Sequence, residues 1–380
     1  MLNPALRRVW RDESTLQLGT DPSRAVVIGG LDPSSARLVE RLDGTQDLTG
    51  VKAVATRLGV PAARFEHLLG LLERCGVLHD GAADHRALAR LSQPERDRLQ
   101  PDVAAASATR TAPDGGAGVL GRRRDRAVVV HGAGRVGAAV VQLLAAAGVG
   151  TVGVADPELT RPADLGPAGL GPDTVGARRD DAARRSARGL APSTQTRPAD
   201  QVARPDLVVL ATDTTGPDPH LVDQLLRDGQ AHLFAAVRPS VGVVGPLVLP
   251  GRSSCARCHD LHRRDRDAAW PTVAAQLLPV PGGAAGPAAG RGGVAGADAC
   301  DVVLATAVAA QACLQALAFL DGSATRDGSA APGGDEVAPP SVDGTIEVSL
   351  ADGTVRRRSW SVHPACGCSW RGRTTPVPAG

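Results

Sequence analysis

The chain has 380 residues and a formal net charge of +2, with 43% hydrophobic residues, only 2% aromatics and no tyrosine. That length accommodates two or three domains, and the apolar fraction suffices for a sizeable core packed from small aliphatic side chains. The near-balanced charge excludes an electrostatic case for nucleic acid or acidic membranes. The single lysine, Lys52, among many arginines reads as a coding bias, so arginine clusters carry no weight by sequence alone.

The N-terminus runs into charged residues without an apolar stretch, which predicts no secretory signal. Residues 15–18 and 24–28 are strand-like, and helical periodicity follows at 34–42, 51–58 and 61–75, with Val77-Leu78 as a final strand. Gly44, Gly59 and Gly76 stand where helices should stop, and Pro61 suits a first helical position. Strand, three helices and strand make a winged-helix pattern, so residues 1–93 are read as a small α+β domain. A DNA-reading role does not suit it, because residues 1–80 carry ten Lys/Arg against ten Asp/Glu.

Residues 94–125 are charged and then rich in Ala, Gly, Ser and Thr, which predicts a linker. Residues 126–380 alternate strands and helices, the mark of an α/β domain with a mainly parallel, Rossmann-like sheet. Low-complexity inserts at 281–293 and 322–340 are expected to be mobile loops. The apolar run 302–320 contains Gln311, Gln315 and many small residues and lacks basic flanks, which predicts a buried helix and no membrane span.

Ala127-Val-Val-Val130 is a buried strand, followed by His131-Gly132-Ala-Gly134-Arg-Val-Gly137 and an apolar helix. Gly132 permits the tight turn, Gly134 lets backbone approach a ligand, and Gly137 allows close helix–strand packing. The next strand, 151–155, ends on Asp156, an acid at the right distance to hold ribose hydroxyls. An NAD ribose would suit Asp156 equally well, though no catalytic set for hydride transfer accompanies it. A further strand, 206–211, ends in Thr212-Asp213-Thr214; Asp213 either orders magnesium and, through it, phosphate groups, or caps a turn.

Of seven cysteines, Cys255 and Cys258 form one close pair and Cys366 and Cys368 another. Two such pairs fit a tetrahedral all-thiolate zinc site with no open position, hence structural. Cys75, Cys300 and Cys313 lie in apolar helical contexts and read as small hydrophobes. Metal-binding rather than disulfide-forming cysteines place the chain in the cytoplasm. His259, His262 and His363 flank the pairs and are either alternative ligands or, the reading preferred here, partly exposed surface groups.

Together, 131–137, Asp156-Pro-Glu158, Thr212-Asp213-Thr214 and the paired cysteines resemble the ThiF/MoeB/HesA family over about residues 126–370. The resemblance implies an adenylate-binding fold with a C-terminal zinc-tied lobe and a homodimer. It implies binding of ATP and magnesium and adenylation of a carrier's C-terminal carboxylate. By that resemblance Asp156 holds the ribose, Glu158 supports it, Asp213 serves metal and phosphates, and Arg178 stands where the family has a lysine. The segments 251–276 and 363–368 are similar to a narrower branch, the ThiF-like proteins that work beside YcaO-type cyclodehydratases in ribosomal-peptide pathways. Leu42-Asp-Gly44 and Leu68-Leu-Gly-Leu-Leu72 resemble a PqqD-like element, which implies capture of a precursor's leader peptide. The family's Asn-Leu-x-Arg stretch is replaced by Asp164-Leu-Gly-Pro-Ala-Gly169. Two functions therefore stand open: an adenylyltransferase, or a non-adenylating scaffold that presents a leader-bound peptide to a partner enzyme.

Overall fold

The computed structural model describes residues 1–22, 24–80, 88–89, 91–109, 115–211, 217–276, 300–322 and 338–368. The described residues form two compact units, one up to Arg122 and one from Arg123 onward.

In the first unit, β1 (Arg8–Asp12), β2 (Thr15–Leu18) and β3 (Val26–Ile28) form an antiparallel sheet in the order β1-β2-β3. Three helices follow: α1 (Pro33–Glu40), α2 (Leu48–Arg57) and α3 (Ala62–Arg74). Asp32 caps α1 by accepting from the Ser34 and Ser35 N–H groups, and Asp47 caps α2 through the Gly50 N–H. Leu16, Leu18, Leu38, Val39, Phe65, Leu68 and Leu72 close one core between sheet and helices. β1 is exposed along its length and carries no hydrophobic alternation, so it left no trace in the sequence pattern. Val77-Leu78 is not a strand; Leu78 makes only an isolated bridge with Leu2.

The stretch expected to be a linker is helical: α4 (Gln93–Thr109) and α5 (Gly115–Arg124). Leu99, Val103, Ala117 and Leu120 bury against Leu88 and Leu91. Four apolar residues at i, i+4 and i, i+3 spacing hold the pair, too few for the periodicity to stand out. The glycines here serve close approach as well, since a Cβ on Gly116 would lie 1.8 Å from the Val103 carbonyl oxygen.

The second unit is an eight-stranded sheet in the order β11-β10-β9-β8-β7-β4-β5-β6. Its parallel part is β4 (Ala127–His131), β5 (Thr151–Ala155), β6 (Gln195–Pro198), β7 (Leu207–Leu210) and β8 (His232–Arg238). β9 (Val241–Val248), β10 (Gly344–Ser349) and β11 (Val355–Ser359) extend it antiparallel. The chain enters at β4 and builds outward in both directions, so the crevice above β4 and β7 is the topological switch point where α/β sheets bind ligands. Helices α6 (Arg135–Ala146) and α7 (Arg179–Leu190) cross over between parallel strands, α8 (Pro219–Arg227) precedes β8, and α9 (Ala256–Arg266) and α10 (Trp270–Gln276) follow β9.

Helix α11 (Val302–Gly322) is long and apolar enough to cross a membrane by composition. Leu304, Val308, Ala312, Ala316 and Leu320 are instead buried in the main core with α6 and the strands, as the sequence pattern predicts for a core helix. Of the two inserts expected to be mobile loops, 281–293 lies outside the described residues, as do residues 323–337 of the insert 322–340.

Candidate functional site

β4 is buried over Ala127 to Val130 and ends at His131, where the chain turns sharply. Gly132 has φ +91°, a left-handed value that glycine adopts without strain. Its N–H donates to the Ala155 carbonyl at 2.9 Å, locking the turn to the end of β5. Gly134 is the N-cap of α6 and offers no side chain to satisfy the first-turn N–H groups. A Cβ on Gly137 would meet the Gly132 carbonyl oxygen at 1.9 Å, so the third glycine is required by packing. The N-terminus of α6 thus opens directly after the glycine turn with no side-chain cap, a chemistry that fits a phosphate.

Asp156 sits at the end of β5 and is buried. Its Oδ2 accepts from the Ala133 N–H at 2.7 Å and its Oδ1 from the Glu158 N–H at 3.0 Å. The carboxylate therefore fixes the glycine turn, and the Glu158 side chain lies exposed beside it.

Residues just after Asp156 pair back with those entering α7. The Thr160 N–H donates to Ala177 at 2.8 Å and the Arg179 N–H to Glu158 at 2.8 Å. This brings two arginines to Asp156, and they behave differently. Arg179 is buried and forks onto Asp164, Nε to Oδ2 at 2.9 Å and Nη2 to Oδ1 at 2.7 Å, with Nη1 3.6 Å from Asp156 Oδ2. Asp164, where the family's Asn-Leu-x-Arg stretch would begin, also accepts from the Arg161 N–H at 2.7 Å. Burial raises the Asp164 pKa, but these donors and the Arg179 charge outweigh it and hold the carboxyl below its ordinary value.

Arg178 is half-exposed and pairs with Asp180 at 2.8 and 3.1 Å. Asp156, Arg178, Asp180, Arg184, Pro198 and Asp200 line an open cleft of about 330 Å³ at the carboxyl ends of β5 and β6. A larger cavity of about 540 Å³ lies in the first unit, among Leu6, Arg7, Asp21, Arg24 and Ala108, and has no nucleotide-type constellation. The structure thus brings together Gly132, Gly134, Gly137, Asp156, Glu158 and Arg178. Asp213 lies outside the described residues. Sequence reasoning passed over Arg179 and Asp164, whose partnership depends on the fold-back of 156–160 on 176–180.

The four cysteines converge. Cys255 is the N-cap of α9 and Cys258 lies one turn in, while Cys366 and Cys368 follow a turn closed by the Cys366 N–H on the His363 carbonyl at 2.9 Å. Sulfur separations are 3.8 Å (Cys255–Cys258), 3.7 Å (Cys255–Cys366) and 3.4 Å (Cys258–Cys368), and all four atoms lie within 4.8 Å of one another. Tetrahedral zinc–sulfur bonds of about 2.3 Å put sulfurs roughly 3.8 Å apart, so the cluster has the dimensions of a four-thiolate metal site. The Cys255 thiol, hydrogen-bonding to Cys258, favours the Cys258 thiolate and lowers its pKa to about 4. Four thiolates crowded without a cation would repel, which a divalent ion relieves.

Two of the flanking histidines are buried, against the expectation of surface groups. His259 stacks on Trp360 with ring centroids 4.6 Å apart, and burial lowers its pKa to about 3. His363 accepts from the Ala365 N–H at 3.1 Å and contacts Asp265 at 2.8 Å. None of the three histidines belongs to the four-sulfur cluster.

No curated protein sequence matches this chain. Among solved structures, E. coli MccB with MccA-N7isoASN superposes with a TM-score of 0.66 at 16% identity, covering 97% of this chain and 99% of that one. E. coli MccB with ATP gives a TM-score of 0.65 at 15% identity, with 97% and 98% coverage. PaaA gives a TM-score of 0.65 at 16% identity, covering 94% of this chain and 99% of that one. At such identities the likeness is one of fold, and it extends over nearly the whole chain. The ThiF family profile matches residues 112–332, more than half of the sequence, and the chain belongs to the ThiF family.

Proposed function

We propose that the chain is an ATP-dependent adenylyltransferase that activates a carboxylate of a ribosomally made peptide. The observation that supports this reading most directly is the glycine turn, capped by Asp156, at the switch point of a ThiF-family sheet. Gly132, Gly134 and the N-terminus of α6 would hold the phosphates, Asp156 with Glu158 the ribose, and Arg178 would lie at the cleft. Asp213 keeps its proposed role toward magnesium and the phosphates. ATP bound there would supply an electrophilic phosphorus and pyrophosphate as leaving group. The solved structures of MccB with ATP and of the microcin C7 biosynthetic enzyme MccB with N-formylated MccA are consistent with a peptide substrate.

The four-cysteine cluster we assign to structural zinc, in a reducing cytoplasm that keeps the thiols available. The first unit we read as a winged-helix, PqqD-like leader-binding element, with residues 94–125 joining it to the nucleotide domain. A leader peptide could add to a free edge of its three-stranded sheet. A homodimer follows from the family resemblance.

A second reading rests on one observation: both arginines near Asp156 are engaged by carboxylates, Arg178 by Asp180 and Arg179 by Asp164. A site whose cations are already neutralised suits a scaffold that binds a leader peptide and presents it to a YcaO-type cyclodehydratase. ATP–pyrophosphate exchange with peptides ending in a free carboxylate separates the two. Exchange that disappears with the C-terminal amide supports adenylation; no exchange from a folded protein that still binds peptide supports the scaffold.

A further inference from the structure

Around the cysteine cluster lies a group of arginines that the nucleotide site does not use. Trp360, buried, anchors it, and its indole N–H donates to Thr345 Oγ1 at 3.1 Å. Three guanidinium carbons surround this one ring: Arg263 at 5.2 Å, Arg266 at 5.4 Å and Arg358 at 5.9 Å from its centroid. Arg263 also lies 5.0 Å over Trp270. Arg238, at the end of β8, adds its charge: after burial, it and Arg358 push the Arg263 pKa down.

Stacking on indole orients guanidinium groups and leaves their N–H edges outward. Basic residues also suit the C-terminal turn of a helix, which accounts for Arg263 and Arg266 on α9. It does not account for Arg238 and Arg358, which come from two strands. Like charges gathered from three elements repel unless an anion joins them.

The protein itself shows which anion matches. Glu347 on β10 accepts from Arg356 at 3.0 Å and Arg358 at 2.9 Å, closing one carboxylate between two guanidiniums. Arg263 has Asp260 at 3.2 Å. Arg238 and Arg266 have no carboxylate partner among the described residues. The cluster is compact, and a chain of net charge +2 lacks the wider basic field that nucleic acid requires.

We propose that Arg263 and Arg266 over Trp360, with Arg238 at the end of β8, form a docking site for the carboxylate side chains of an acidic polypeptide segment. The site lies on the antiparallel end of the sheet beside the cysteine cluster, and it requires no nucleotide.

Anisotropy of a fluorescein-labelled peptide of alternating Glu and Gly, added to the full-length, metal-loaded chain at low ionic strength, tests it. Arg238→Glu and Arg266→Glu should each weaken binding by roughly tenfold, as loss of a charge-assisted contact does, while Arg188→Glu, exposed on α7, leaves it unchanged. Arg266→Gln guards against misfolding and should weaken binding with unaltered metal content. Equal affinity in all variants, or no binding by the parent, would overturn the proposal. Inorganic phosphate competing as well as the peptide at equal charge would also overturn it, because the site would then be one for any small anion. Failure of ATP binding would leave this result untouched.

Discussion

Arg179 and Asp164 meet in a buried two-point ion pair, at 2.9 and 2.7 Å, and the same guanidinium stands 3.6 Å from Asp156. A planar fork suits this arrangement and a lysine point charge would not. The pair fixes the segment after β5, where other family members carry an Asn-Leu-x-Arg stretch.

Arg179→Ala should therefore destabilise the second unit by about 3–5 kcal/mol, since it leaves Asp164 buried and uncompensated. Urea unfolding of parent and variant measures this. Arg178→Ala, whose side chain is half-exposed, should leave the unfolding midpoint almost unchanged.

The same pair sets an acid limit. Asp164 is held below its ordinary pKa in the folded state, so its contribution is present above the unfolded carboxylate range. It is lost as the pH falls through the lower, folded value. The urea midpoint of Arg179→Ala should consequently fall less steeply below pH 4 or so than that of the parent, with about 4 being the unfolded carboxylate pKa.

Histidine titration acts at milder pH. Burial lowers the pKa of His131 and of His232, which is fully buried beside Phe234. Their folded forms stay neutral while the unfolded chain takes protons below about pH 6.5, so stability falls as the pH drops from there. His232→Phe should flatten this decline between neutral pH and the folded pKa; an unchanged slope would count against it. The substitution also removes the unpartnered His232 Nε2, so it need not be destabilising at neutral pH.

The cysteine cluster makes a separate prediction. Metal analysis should find one zinc per chain, and Cys255→Ser or Cys366→Ser should abolish it. Small zinc modules draw on the order of 10 kcal/mol from the metal, so chelation should lower the melting temperature sharply. Cys313→Ser should keep the zinc, because Cys313 sits apart from the cluster, buried against the Val140 carbonyl at 3.7 Å.

Much of this was legible in the sequence. The buried strand 127–130, the three spaced glycines and the terminal Asp156 announce a tight strand-to-helix turn closed by the acid because each residue type answers a local constraint. The cysteine pairs announce a metal site because thiol spacing is itself a ligand geometry. What stayed hidden depends on tertiary contact. α4 and α5 looked like a linker because their helix contact uses Gly116 and a handful of small apolar residues. Arg179 looked no different from Arg178, and only the fold-back onto Glu158 and Thr160 turns one inward and the other out. His259 and His363 looked like surface groups until Trp360 and the C-terminal turn covered them.

The central claim is that the turn at 132–137 with Asp156 holds a nucleotide for carboxylate activation. Calorimetric titration of ATP–magnesium into the zinc-loaded, full-length protein tests it most directly, with Asp156→Ala and Asp213→Ala alongside. The account predicts saturable binding that both substitutions abolish. No heat of binding from a folded, zinc-loaded parent would contradict it and leave the leader-binding scaffold as the function of this fold.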